Sequence, residues 1–218
     1  MMTSLEKVQS RLRIAQLNKG QYNEVERSKA VKKQIVLHHT AGGSAQSSIN
    51  GWNADATPVA TAFVIDRDGT IFQAFPSWCW AYALGVNQAN YRTLEAQAVQ
   101  IELASYGILR QINGEYYNAY GGKIKNENVC VLDKPFRGSK FYEKYTPEQI
   151  ESTKVLIEYL AETYNIKLNY KPDIFDINQR ALRGESGLFT HCSFRSDKSD
   201  VYPQPELIQM LSSLNATT

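Results

Sequence analysis

The residues best suited to chemistry in this sequence are its histidines, because it contains only three: His38, His39 and His191. His38 and His39 directly follow an apolar, β-branched run, and His191 follows a second strand-like run. Sites in α/β sheets form where strands end. A single histidine is more often structural than functional, so the argument depends on the polar groups that accompany these three.

Two carboxylates and a lysine supply the other parts of a hydrolytic site. Asp200 follows His191 after a short polar loop, and Glu102 is an acid in an otherwise apolar strand sequence, where a lone charge is costly to bury. Two imidazoles and one carboxylate suit Zn²⁺ and leave a fourth position open for water. The sequence therefore offers His38, His191 and Asp200 as zinc ligands. Glu102 would transfer protons, and Lys198 would stabilise an oxyanion.

These side chains need a sheet to bring them together, and the sequence predicts one. Strand patterns alternate with helical patterns, which indicates a single α/β domain with a central mixed sheet flanked by helices. Predicted strands cover residues 34–39, 61–66, 70–75, 98–103 and 187–190, with a further hairpin, 108–112 and 115–120, around Asn113-Gly114. Predicted helices cover residues 45–53, 147–164 and a segment that starts at 205.

The first 32 residues differ from the rest in composition. They are polar, and only one short helix, lined by Val8, Leu12 and residues 14–17, is indicated near the start. We therefore divide the chain into an N-terminal polar arm, 1–32, and a catalytic domain, 33–218. The N-terminus lacks the basic start and apolar block of a signal peptide, which predicts synthesis in the cytoplasm without a leader.

Composition narrows the classes of partner. The chain has 218 residues and a formal net charge of +2, without a basic stripe, so nucleic-acid binding is not expected. No apolar run approaches the roughly 18 residues of a membrane span, so we expect no stable membrane association. No feature indicates an obligatory protein partner. The three cysteines are odd in number and match no paired spacing, which argues against a disulfide scaffold.

Several segments, in this order, resemble the zinc-dependent N-acetylmuramoyl-L-alanine amidases, the group related to phage lysozyme-like amidases and peptidoglycan recognition proteins. The segments are 35–43 (IVLHHTAGG), 63–73 (FVIDRDGTIFQ), 80–85 (WAYALG), 100–103 (QIEL), and 190–191 (TH) with 198–200 (KSD). Each motif is weak alone, but the ordered set is specific and extends over most of the chain.

The resemblance implies the α/β fold of that group, one zinc ion, and cleavage of the amide between the lactyl group of N-acetylmuramic acid and L-alanine of the stem peptide. His38, His191 and Asp200 match the family's zinc ligands. Glu102 matches its proton-transfer residue, and Lys198 matches the residue that stabilises the intermediate. The implied partner is peptidoglycan or a soluble muropeptide.

The chain departs from the family pattern at several positions. Ala62 and Ala83 stand where the family often has histidine, which alters substrate contacts rather than metal ligands. The closing segment continues with Val-Tyr-Pro after Asp200, where the family has Pro-Gly after its last ligand. Asp197 and Cys192 therefore compete with Asp200 for the third ligand position.

The direction of side chains on extended segments bears on the competing ligands. Cys192 directly follows His191, and adjacent side chains on an extended segment point in opposite directions. His39 is excluded as a metal ligand for the same reason, since it directly follows His38 on the predicted strand and its side chain points to the other face. Asp197 lacks the family's Lys-x-Asp context.

The remaining predictions concern the substrate contacts, the biological setting and the alternative functions. Trp80, Tyr82 and Arg195 are predicted to contact the substrate, the two aromatic rings by stacking on sugar or peptide. The expected setting is a phage or prophage endolysin that acts on the cell wall, with a cytoplasmic recycling amidase as the alternative. Two other functions stay open: a non-catalytic muropeptide-binding module of the same fold, and a cysteine hydrolase built on Cys192 or Cys79.

Overall fold

Strands and helices alternate along the chain, as the sequence predicts. The computed structural model describes residues 2–18, 20–168 and 170–214. Within these residues the strands are β1 (Leu12–Ile14), β2 (Gln34–His39), β3 (Phe63–Ile65), β4 (Ile71–Gln73), β5 (Ala98–Leu103), β6 (Arg110–Ile112), β7 (Glu115–Tyr117), β8 (Lys123–Ile124), β9 (Val129–Phe136), β10 (Ser139–Glu143) and β11 (Gly187–Thr190). The α-helices are α1 (Ser4–Gln9), α2 (Ala45–Ala54), α3 (Tyr91–Gln97), α4 (Pro147–Tyr164), α5 (Gln179–Leu182) and α6 (Pro205–Ser213).

A six-stranded mixed sheet, in the order β1-β4-β3-β5-β2-β11, forms the centre of the molecule. β2 pairs in parallel with β5 on one side and with β11 on the other. β3 continues the parallel set beside β5 and pairs antiparallel with β4. The carboxyl ends of β5, β2 and β11 therefore lie next to one another, which is the edge where α/β sheets form sites.

The core lies around β2. Ile35, Val36 and Leu37 have no exposed surface, as expected for a parallel strand that is covered on both faces. α4 packs against β2 and β3, and α1 and α6 in turn pack against α4. α3 packs against β5. The predicted architecture, a mixed sheet flanked by helices, is confirmed.

Helix α4 begins and ends close to where the sequence predicts. The Thr146 hydroxyl accepts a hydrogen bond from the backbone N–H of Gln149, and the Gln149 side chain accepts one from the N–H of Thr146. Pro147 occupies the first turn, where its missing N–H is not needed. Asn165 ends the helix in the left-handed conformation at φ 53°.

The N-terminal segment is more than a polar arm. The predicted helix is confirmed only over α1, whereas Leu12–Ile14 form β1, which pairs in parallel with β4 and adds a strand to the central sheet. Val8 and Leu17 are buried. The sequence gives little sign of β1, because it is only three residues long and Arg13 and Ile14 are exposed. The domain boundary at residue 32 stays a prediction.

Two smaller sheets lie outside the central one. The hairpin predicted around Asn113-Gly114 is confirmed as β6 and β7, and both turn residues have positive φ, 51° and 81°. β8 extends it to three strands. The β9–β10 hairpin was not predicted, because its turn, Arg137-Gly138, is not a common hairpin sequence, although both residues again have positive φ. Among the residues described, no helix combines the length and apolar character that crossing a membrane requires.

Candidate metal centre

Three side chains converge at the carboxyl edge of the central sheet. His38 lies near the end of β2, His191 directly follows β11, and Asp200 lies in the loop that leads towards α6. Nδ1 of His38 is 3.1 Å from Nδ1 of His191. Oδ2 of Asp200 is 2.8 Å from Nδ1 of His191 and 3.4 Å from Nδ1 of His38. All three residues are buried, and their ligand atoms lie within 4.8 Å of one another.

The hydrogen bonds around His191 show which of its nitrogens is available. Nε2 of His191 donates to the Leu84 carbonyl at 3.0 Å, since a carbonyl oxygen only accepts. In the neutral ring Nδ1 then carries a lone pair, and it faces Nδ1 of His38 and the carboxylate of Asp200. Electron-pair donors this close repel one another unless a cation lies between them. Two imidazole nitrogens and a carboxylate oxygen are a donor set that Zn²⁺ accepts, so the residues fit this ion.

The charge states of the cluster agree with this fit. Burial, and after it the neighbouring His191, lowers the pKa of His38 to about 4, so that its ring is neutral at neutral pH. Burial alone would raise the pKa of Asp200, but the adjacent rings of His191 and His38 hold it well below its usual range. The cluster therefore combines a neutral imidazole at His38 with an anionic carboxylate, the forms in which both groups bind metal.

The cluster lines a cleft of about 390 Å³ that also contains the other predicted catalytic groups. Glu102 and Lys198 both line this cleft. Glu102 lies on β5 directly opposite His38 in the sheet register. The remaining lining residues are His39, Thr40, Ala41, Trp52, Val59, Ala60, Thr61, Ala83, Asp197 and Ser199. A substrate carbonyl placed in this cleft would meet the metal ligands, an acid and a cation together.

A comparison with protein-family profiles shows which family the chain belongs to. A profile described as N-acetylmuramoyl-L-alanine amidase matches residues 28–204. The chain belongs to the N-acetylmuramoyl-L-alanine amidase family. The matched region begins before β2 and ends after Asp200, so that it includes the whole cluster and both Glu102 and Lys198. A search of curated protein sequences gives no match to this amidase-family chain.

Solved structures share the fold but little sequence. The N-acetylmuramoyl-L-alanine amidase LysC from Clostridium intestinale URNW is 17% identical with a TM-score of 0.50, and the match covers 93% of this chain and 97% of LysC. A mutant endolysin from Bacillus subtilis is 16% identical with a TM-score of 0.51, covering 94% and 97%. The hydrolase AmiA from Staphylococcus aureus is 9% identical with a TM-score of 0.52, covering 94% and 81%. At these identities the matches show the fold.

The two competitors for the third ligand position lie outside the cluster. Asp197 forms an ion pair with Arg195, with a shortest distance of 2.6 Å. The Cys192 thiol donates to the backbone carbonyls of Lys198 and Asp200, at 3.2 and 3.4 Å. Cys192 therefore supports the loop that carries Asp200, and the geometry favours Asp200 as the ligand.

His39 points away from His38, as the alternation along a strand requires. Its Nδ1 forms a hydrogen bond with the hydroxyl of Tyr145 at 2.9 Å. Gly107 packs against the other side of the ring, where a Cβ atom would lie only 2.3 Å from Nε2 of His39. His39 thus has the hydrogen bond expected of a structural residue, although it also lines the cleft.

The predicted substrate contacts lie beside the cleft rather than on its lining, within the part of the chain that is described. The Trp80 ring meets the Tyr82 ring edge-on at 5.2 Å, and Tyr82 stacks against Tyr91 at 6.2 Å. The Tyr82 carbonyl accepts a hydrogen bond from the N–H of Ala60, a lining residue. The role of Trp80, Tyr82 and Arg195 in binding substrate stays a prediction.

Three residues for which the sequence predicts no role lie at or behind the site. Trp52, on α2, lines the cleft. Gln100 lies on the same face of β5 as Glu102. This alternation along the strand is the only feature of the sequence that points to Gln100. Glu95, on α3, is buried and bonded to Gln100 at 2.8 Å. No local signal indicated Glu95, because its partners lie in a separate loop.

Proposed function

We propose that this protein hydrolyses the amide bond between N-acetylmuramic acid and the L-alanine of the peptidoglycan stem peptide, with one zinc ion as cofactor. The convergence of His38, His191 and Asp200 in a cleft that also contains Glu102 and Lys198 carries the proposal. Zn²⁺ held by these three residues would act as a Lewis acid on the substrate carbonyl and would lower the pKa of a water molecule to about 7. The remaining chemistry belongs to side chains of the cleft.

Glu102 is the proton-transfer residue in this proposal. Its Oε2 atom is buried and has no hydrogen-bond partner among the residues described, so it is free to take part in proton exchange. The carboxylate accepts the proton of the attacking water as the oxygen adds to the amide carbon. It then donates that proton to the L-alanine nitrogen as the C–N bond breaks, since an amide nitrogen must be protonated to leave.

Lys198 is the electrostatic partner of the reacting carbonyl. It lines the same cleft as Glu102, and its positive charge acts on that carboxyl group. The carbonyl oxygen becomes negative when water adds to the carbon. An ammonium group that is already in place stabilises this charge without having to reorganise.

The biological setting that we propose is a phage or prophage endolysin. One similar structure is described as an endolysin from Bacillus subtilis, and the match covers 94% of this chain. A recycling amidase would take soluble anhydro-muropeptides instead of the polymer. The two settings therefore differ in substrate size, which an assay separates directly.

Digestion of purified peptidoglycan, followed by mass spectrometry of the released ends, tests this function. We expect new L-alanine amino termini and glycan strands whose muramic acid has a free lactyl carboxylate, with His191→Ala as the inactive control. A parallel digestion of soluble anhydro-muropeptide compares the two settings. New reducing sugar ends, or cleavage within the stem peptide only, would contradict the proposed bond.

A binding module of the same fold is the second candidate. The complete ligand set, together with Glu102 and Lys198 in one cleft, favours an enzyme over a module that only binds. Muropeptide that binds to the zinc-loaded protein and is recovered intact after prolonged incubation would support the module.

A further inference from the structure

Each candidate histidine ligand has a second ring nitrogen, Nε2, that faces away from the cluster. Nε2 of His191 donates to the carbonyl of Leu84, a fully buried residue, at 3.0 Å. This bond fixes the direction of the His191 ring and leaves Nδ1 to face the cluster. The position of the Leu84 carbonyl therefore sets the orientation of one ligand.

The loop that carries Leu84 is held by one buried carboxylate. Glu95 accepts hydrogen bonds from three successive backbone N–H groups, those of Ala83, Leu84 and Gly85, at 3.1, 3.0 and 3.3 Å. Gly85 has a φ of 59°, a conformation that glycine adopts without strain. Glu95 is 2% exposed, so these bonds are shielded from water.

Glu95 also orients a side chain beside the other histidine. Nε2 of Gln100 donates to Oε2 of Glu95 at 2.8 Å, which fixes which end of the amide is the oxygen. Gln100 lies on β5, on the same strand face as Glu102, and its side chain is a neighbour of the His38 ring. Nε2 of His38 and Oε1 of Gln100 are both buried, and neither atom has a hydrogen-bond partner in the described residues.

We propose that Glu95 is a positioning residue that orients both histidine ligands, His191 through the Leu84 carbonyl and His38 through the Gln100 side chain. The inference rests on the proposed function, because it takes His38 and His191 as ligands. When Nδ1 of His38 faces the cation, the ring proton is on Nε2, and the unpaired Oε1 of Gln100 is the acceptor that we assign to it. One buried carboxylate thus determines the tautomer and the direction of both rings.

Such outer partners affect metal binding more than their distance from the ion suggests. Hydrogen bonds to the far nitrogen of a ligating histidine hold the ring in place and raise its basicity, and their loss costs about 10–100-fold in metal affinity. Because Glu95 acts on both rings and Gln100 on one, the two residues make separable predictions.

The test compares Gln100→Met and Glu95→Gln with the wild type and with Gln34→Met. Gln34 is a matched control, since it is fully buried on β2 and donates to the carbonyls of Ala181 and Glu185 instead of facing a histidine. Zinc affinity is measured by chelator competition, and the ligand field by visible absorption of the Co²⁺-substituted protein. Both test variants should bind zinc on the order of 10-fold more weakly, with shifted Co²⁺ bands. Gln34→Met should lower thermal stability but change neither the zinc affinity nor the Co²⁺ absorption bands appreciably.

Nuclear magnetic resonance of the zinc-loaded protein separates the two routes. Gln100→Met should move the Nε2–H resonance of His38 alone, and Glu95→Gln should move those of His38 and His191. Unchanged zinc affinity and unchanged resonances in both variants would overturn this inference while leaving the proposed function intact. A wild-type protein that binds no zinc would overturn both.

Discussion

Glu102 and Asp200 are carboxylates in one cleft, yet their surroundings move their pKa values in opposite directions. Burial, and after it the charge of Asp200, raises the pKa of Glu102 well above its usual range, and Lys198 opposes this only in part. For Asp200, the two adjacent histidine rings overcome the effect of burial and hold the pKa well below its usual range. This separation supports the roles that we propose, cation binding for Asp200 and proton exchange for Glu102.

Replacing Glu102 with Gln tests the proton-transfer role. Glu102→Gln keeps the shape of the side chain but cannot accept a proton, so kcat should fall by about 10²–10⁴-fold. Zinc content should stay at the wild-type value, because Glu102 is not one of the three clustered ligands. Initial rates and metal analysis of the same sample check this. Full activity in the variant would remove Glu102 from the mechanism.

Replacing Lys198 with Met tests oxyanion stabilisation. Lys198→Met should lower kcat by about 10²-fold with a small change in KM, since the charge is needed in the transition state rather than in the bound substrate. Lys125→Met is the control, because Lys125 is 78% exposed and does not line the cleft. Equal kinetic constants for the two variants would contradict the role of Lys198.

The thiol groups provide a test against the cysteine-hydrolase alternative. Burial raises the pKa of Cys192 to about 12, so its reactive thiolate is scarce at neutral pH. All three cysteines are buried. Iodoacetamide at pH 7.5 should therefore alkylate none of them in the native protein and leave activity intact, whereas unfolding should expose all three. Rapid loss of activity with labelling of Cys192 or Cys79 would revive the alternative.

At the scale of elements, helices and strands with strong local sequence signals were predictable, and those with weak signals were not. α4 was predictable because Thr146, Pro147 and Gln149 mark its start, and β2 because its apolar run is continuous. β1 could not be predicted, since three residues carry too little pattern and it is stabilised by pairing with β4. β9 was missed because half of its eight side chains are exposed and only Cys130 and Leu132 are buried, which is too little pattern to mark a strand.

Lys32 shows how a polar residue of the N-terminal segment supports the fold. Its ammonium group donates to the carbonyls of Cys79, Ala96 and Ala98, at 2.8, 2.9 and 3.1 Å. The side chain is only 4% exposed. It thereby joins the end of α3 and the start of β5 to a separate loop. A lysine in a polar stretch gives no sign in the sequence that it will be buried.

Lys32→Met should lower the free energy of unfolding by about 1–3 kcal/mol, because buried carbonyl groups lose their donor. Urea denaturation of the zinc-loaded protein measures this as a lower midpoint. The neighbouring Lys33 is exposed, so Lys33→Met should stay within about 0.5 kcal/mol of the wild type. Equal midpoints for the two variants would show that the three hydrogen bonds contribute nothing.

At the scale of the molecule, topology assembles the site from distant parts of the chain. β5, β2 and β11 are neighbours in the sheet, so Glu102, His38 and His191 arrive at one edge although His38 and His191 are 153 residues apart. The sequence predicted these residues through their types and their places at strand ends. It could not predict Glu95, whose role depends on the packing of α3 against a loop.

The central claim is that one zinc ion held by His38, His191 and Asp200 is required for amide hydrolysis. Zinc titration of chelator-treated protein tests it most directly, with bound metal and muropeptide cleavage measured in the same samples. We predict no activity without metal, recovery that is complete at one zinc per chain, and neither binding nor recovery for His191→Ala. Full cleavage by metal-free wild-type protein, or stoichiometric zinc retained by His191→Ala, would contradict the account.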